Sequence, residues 1–127
     1  MLLLRYDFLV GRVLVSLLFI ITALLLMFRP VDFKYLESLI RSRGVPLAKL
    51  AMVLTIILEL ACGVMILVGW QTWIAAAILI VWMIPATLVV HAPWKAPPEM
   101  QSNEIYHTLK NIAIAGGLLI LVAAYRS

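Results

Sequence analysis

The chain is short of what a soluble protein uses to face water. Only 13% of its 127 residues are charged, 65% are hydrophobic, and the mean hydropathy is +1.12. That balance leaves too little polar surface to cover a globular domain, so a soluble module is excluded. Cysteine is reduced to Cys62 alone, which rules out an internal disulfide and paired-thiol redox chemistry. No haem, flavin or iron–sulfur signature is recognisable, so electron transfer would require a bound cofactor or a partner. No small-residue cleavage site precedes Arg29-Pro30, and the first apolar run is therefore expected to stay as an anchor. The net charge of +4 is divided by apolar blocks, which reads as orientation signal and headgroup contact and not as nucleic-acid binding.

What is present is four apolar blocks. By length and periodicity they predict an all-α polytopic membrane protein in one domain, 1–127: a four-transmembrane-helix bundle with spans at about 8–28, 47–68, 73–90 and 104–125. Between the first two spans, Phe33, Leu36, Leu39 and Ile40 recur at helical spacing while Lys34, Glu37 and Arg41 take the other side. This predicts a short interfacial helix at about 32–43. Gly69 to Thr72 is too short to do more than join antiparallel neighbours, and Trp70 and Trp73 suit the interface. Pro85 invites a kink in the third span, and Lys95 to Asn103, with Pro97-Pro98, is expected to be polar and non-helical.

The polar residues inside these blocks are few. Glu59 lies mid-span on a strip with Ala51, Thr55 and Gly63, where small neighbours let another helix approach. An ionisable group there costs roughly 2.5–3.5 kcal/mol on insertion scales and needs a partner. A rise of about 1.5 Å per residue leaves Arg12 about 7 Å from the depth of Glu59, making it the first candidate partner, with Lys110 approaching from the opposite side. Asn111, His91 and His107 continue this expected polar track, and Met83, Thr87 and His91 share a face of the third span. Arg12 with Glu59 reads either as an ion pair that fixes helix register or as a proton-responsive site or ligand anchor. Lys110 reads as a snorkelling cation or as part of that site. Glu104 and His107 have the i, i+3 spacing of carboxylate metal sites, but one such pair near the membrane edge is too little, and no metal is expected.

Lys110-Asn111-Ile112-Ala113-Ile114-Ala115-Gly116-Gly117-Leu118-Leu119, Glu59-Leu60-Ala61-Cys62-Gly63, Gly11-Arg12 and His91-Ala92-Pro93-Trp94 together resemble the DoxX family. The resemblance implies a bacterial or archaeal inner-membrane protein of four helices, and some family members are linked to quinone-coupled sulfur oxidation and oxidative-stress complexes. On that basis the chain is expected to be the membrane subunit of a quinone-linked oxidoreductase or oxidative-stress complex. Arg12, Glu59, Lys110 and Asn111 would form its buried polar, proton-handling group; His91, His107, Thr87 and Trp94 would contact the quinone, and a redox or membrane-protein partner is needed. No catalytic residue is singled out. The alternative is a non-enzymatic membrane scaffold or a carrier of a small lipid-like ligand. A bundle this small exposes helix surface on which a homo-oligomer could form, although no Gly-x-x-x-Gly repeat specifies one.

The first and third connections hold Arg29, Lys34, Arg41, Arg43, Lys49 and Lys95, against Arg5, Arg12 and Arg126 on the other side. Counting Lys and Arg therefore puts the connections in the cytoplasm and both termini on the non-cytoplasmic side. Cysteines introduced at residue 2 and in the Lys95 connection should label from opposite faces of intact cells or vesicles. Labelling of residue 2 only from the cytoplasm would reverse this orientation.

Overall fold

A computed structural model describes residues 6–126. Arg5, counted above on the terminal side, and the residue-2 labelling position lie outside the described residues. The described residues form α1 (Tyr6–Phe28), α2 (Pro30–Ser42), α3 (Ala48–Val68), α4 (Thr72–Val90) and α5 (Pro98–Tyr125), with a 3-10 turn at Pro93–Lys95. α1, α3, α4 with its following turn, and α5 are each long and apolar enough to cross a membrane, and α2 is the short helix between the first two spans. The fold is the all-α polytopic bundle the sequence predicts.

α1 packs chiefly against α3, and α4 against α5, with α3 and α4 joining the two pairs. Apolar side chains gain nothing by leaving lipid for one another, so close backbone approach has to supply the packing energy. Gly63 does this for α1 and α3. A Cβ there would sit 2.8 Å from Ile20 Cγ1 and 3.4 Å from both Ile20 N and Ser16 O. Ser16, fully buried at this crossing, returns its hydroxyl proton to Val13 O at 2.8 Å. Phe19, Cys62, Ile66, Leu79 and Leu118 extend the packing across all four spans.

The opposite end of the bundle carries a second core. Here α2 lays Phe33, Leu36 and Ile40 against Leu26, Ala48 and Met52, while Arg29–Asp32 and Arg41–Glu37 pair at 3.0 and 2.7 Å on its polar side. Pro30 opens the helix at a position that needs no amide donor. α3 closes on Gly69 at φ 81°, where the amides of Gly69 and Trp70 both reach Met65 O at 3.0 Å.

One expected feature is different. The connection after α4 is shorter than its prolines suggested, because α5 begins at Pro98 and not near Glu104. Pro97 is extended and Pro98 takes the first helical position, so the pair starts the helix instead of preventing it, and Glu99 complements the positive end of the helix dipole. α4 runs through Pro85 without interruption.

Gly63→Leu should force α1 and α3 apart and lower stability by about 1–3 kcal/mol, the usual cost of overpacking. Thermal or SDS unfolding in mild detergent would measure it; unchanged stability would mean that the crossing does not rely on Gly63.

Candidate functional site

Between the two cores lies a cavity of about 360 Å³, to which all five helices contribute. Its walls are mostly apolar, with Phe19 and Leu26 from α1, Ile40 from α2, Met52 from α3, and Trp82 and Met83 from α4. Thr22 of α1, Thr55 and Glu59 of α3, Thr87 of α4, His91 at the end of α4, and Lys110 and Asn111 of α5 supply the polar lining. An apolar pocket with a few convergent polar groups is the usual form of a small-molecule site.

Glu59 is the deepest of these groups. It is 3% exposed, and its Oε2 is buried with no hydrogen-bond partner among the described residues. Leaving such an acceptor unmet costs about 1–3 kcal/mol, and more when charged.

The expected Arg12–Glu59 pair does not form. Arg12 Nη1 donates to Tyr125 Oη at 3.2 Å, Nη2 lies 3.5 Å from Leu67 O, and the guanidinium carbon sits 5.7 Å from the centre of the Tyr125 ring. The physical reason is side-chain direction. Helical side chains lean toward the N-terminus of their own helix, so Arg12 leans toward the start of α1, whereas Glu59 leans toward the start of α3, at the opposite face. Arg12 is thereby delivered to the C-terminal end of α3, where carbonyls lack intrahelical donors and the dipole favours a cation. Gly69 makes room for it, since a Cβ there would meet Arg12 Nη1 at 3.0 Å.

At the other face the polar residues form a chain. Lys110 Nζ donates to His107 Nδ1 at 3.3 Å, the His107 ring stacks on His91 with centroids 4.8 Å apart, and His91 Nδ1 lies 2.9 Å from Glu104 Oε2. Thr108 Oγ1 is 2.9 Å from Glu104 O and 3.0 Å from His91 O, clamping α5 to the end of α4. Asn111 Nδ2 donates to Thr87 Oγ1 at 3.0 Å. Among the expected contact residues, Thr87 and His91 line the cavity; His107 does not line it but touches two residues that do, Lys110 and His91, and Trp94, 63% exposed in the 3-10 turn, does not line it. Among the described residues no group of three or more His, Cys, Asp or Glu is arranged to hold a metal ion.

Four contributors escaped the sequence reading. Tyr125 and Thr108 carry no motif, and Trp82 is one more apolar residue in an apolar helix. Arg43 had a usable signal, because a cation near a helix C-terminus commonly meets its last carbonyls. It donates from Nη1 to Val89 O at 2.6 Å and so ties the end of α2 to the end of α4, beside the cavity wall formed by Ile40 and Val89.

The fold defines a polytopic α-helical membrane protein. The DoxX family model matches residues 8–92, and the chain belongs to the DoxX family. That match takes in α1 from Phe8, α2, α3 and all of α4 and ends at Ala92, so the α5 run beginning at Lys110 lies beyond it. The chain is also 26% identical over 113 residues to the inner membrane protein YphA of Escherichia coli (strain K12), covering 89% of this chain and 79% of YphA. No solved structure matches it significantly.

Arg43→Ala should free α2 from α4 and cost on the order of 1.5–3 kcal/mol, as expected for a hydrogen bond from a charged donor. Hydrogen exchange should rise selectively in the amides of α2; protection equal to wild type would remove Arg43 as the latch.

Proposed function

We propose that the protein is the membrane subunit of a quinone-linked oxidoreductase, held in the inner (plasma) membrane, and that its cavity binds the quinone. The observation that carries this reading is the cavity's make-up, an apolar chamber reaching the middle of the bundle with an unpartnered carboxyl at its deepest point. Family membership and the name of the Escherichia coli relative support the location.

A bound quinone would supply two-electron, two-proton redox chemistry, with the electrons coming from a redox partner. Glu59 would hold or accept a proton at one end of the chamber. Lys110 and His91 would orient the ligand from the other end by donating hydrogen bonds, and the His107, His91 and Glu104 cluster would exchange protons with the adjoining water. Phe19, Met52, Trp82 and Met83 would exclude water from the ring. A non-enzymatic carrier of a lipid-like ligand is the second reading; the same chamber supports it, and the absence of any redox signature in the sequence favours it.

In lipid nanodiscs, decylubiquinone should quench Trp82 fluorescence saturably in a chain whose other tryptophans are replaced by Phe. In the assembled complex Glu59→Gln should slow quinone-linked turnover by at least tenfold without reducing assembly. Quenching that rises linearly with the decylubiquinone in the bilayer would overturn the quinone assignment. Saturable binding with turnover per complex unaffected by Glu59→Gln would favour the carrier.

A further inference from the structure

Resting on the same cavity, we infer that its occupant is a lipid-phase amphiphile whose head group presents an O–H or N–H donor to Glu59. The first support is a count of donors and acceptors. An ionised carboxyl only accepts hydrogen bonds, and a protonated one still has more acceptor than donor capacity. In either state Glu59 is short of donors, and its buried Oε2 has none among the described residues. None of the donors on the cavity wall meets it: Asn111 Nδ2 bonds Thr87, Lys110 Nζ bonds His107, and neither the Thr55 hydroxyl nor the Trp82 indole N–H bonds Glu59. A molecule that enters the cavity is the remaining source of a donor.

The second support is the route. Leu18, at the middle of α1, lines the cavity and is 39% exposed, which puts lipid-facing surface on the chamber's wall at mid-bilayer depth. Its α2 end is covered by Leu36 and Ile40, with Arg43 fixing α2 to Val89 O. A ligand that arrives through hydrocarbon and then rests against Phe19, Met52 and Trp82 needs an apolar body. Combined with the donor that Glu59 lacks, this describes an amphiphile with a hydroxyl or amine head.

The test uses probes of nearly equal shape that have no quinone chemistry: para-decylphenol, para-decylaniline and para-decylanisole, titrated into the protein in nanodiscs with Trp82 fluorescence as the signal. The phenol, the aniline or both should bind wild type at least tenfold more tightly than the anisole, because a buried polar group left unmet discriminates strongly. Phenol alone would identify a hydroxyl head, and aniline alone an amine head. In Glu59→Leu that preference should fall to less than twofold. Equal binding of all three by wild type, binding of none, or a preference that survives in Glu59→Leu would overturn the inference. Since these probes are not quinones, a donor preference without decylubiquinone binding would remove the quinone assignment and leave this inference standing. Decylubiquinone binding without a donor preference would do the reverse.

Discussion

A carboxyl near the middle of a membrane helix has few acceptable settings. It can meet a cation, meet hydrogen-bond donors, or open onto a cavity that admits something other than lipid. In this protein Glu59 lines a chamber, and its Oε2 meets neither a cation nor a donor among the described residues. The surrounding packing is consistent with that setting. Gly63, one helical turn further along α3, brings α1 close enough to seal the wall next to Glu59. The space beside Glu59 extends toward α2, the direction in which Glu59 itself leans.

Arg12, the first candidate partner of Glu59, is used instead to finish a helix, and Arg43 does the same elsewhere. Arg12 meets Leu67 O at the end of α3, and Arg43 meets Val89 O at the end of α4. Both sites offer orphan carbonyls and the negative end of a helix dipole. Capping by a distant arginine replaces the hydrogen bonds that water would otherwise supply, and it also joins elements: α1 to α3 and α5 at one face, α2 to α4 at the other. One side chain type thus serves helix termination and assembly together.

Most of the fold was legible because membrane spans announce themselves by composition. Four apolar blocks, an amphipathic stretch with Phe33, Leu36 and Ile40 on one side, and a turn at Gly69 were enough to give the architecture. The start of α5 was not, because Pro97-Pro98 can either break a helix or begin one, and only the placement of Pro98 at the first helical position decides. Glu59, Lys110, Asn111, His91 and Thr87 were found by their polarity and do share one cavity lining. The pairing of Arg12 with Glu59 was misjudged because depth was counted along helix axes, and axes say nothing of the direction in which a side chain leans. Arg12 and Glu59 stand on antiparallel helices and lean apart. The Arg43–Val89 contact joins residues 46 apart in sequence, a separation at which local pattern carries no information.

The same rule of direction contributes to the site's asymmetry. Glu59 on α3 leans toward the α2 face, as does Lys110 on α5, because both helices begin there. The cavity's other polar residues lie at or on the α2 side of Glu59 by their positions along the helices. The α2 face also gathers His91, Glu104 and His107 into one connected group. Toward the terminal face the way from Glu59 is filled by Cys62, Gly63 and Ile66, and beyond them lies the Arg12–Tyr125 contact. A proton or polar head group placed at Glu59 thus meets polar partners in one direction and packed apolar side chains in the other. Helix polarity aims Glu59 and Lys110 that way, while Thr87 and His91, on a helix that runs the other way, lie there because of their positions at the end of α4.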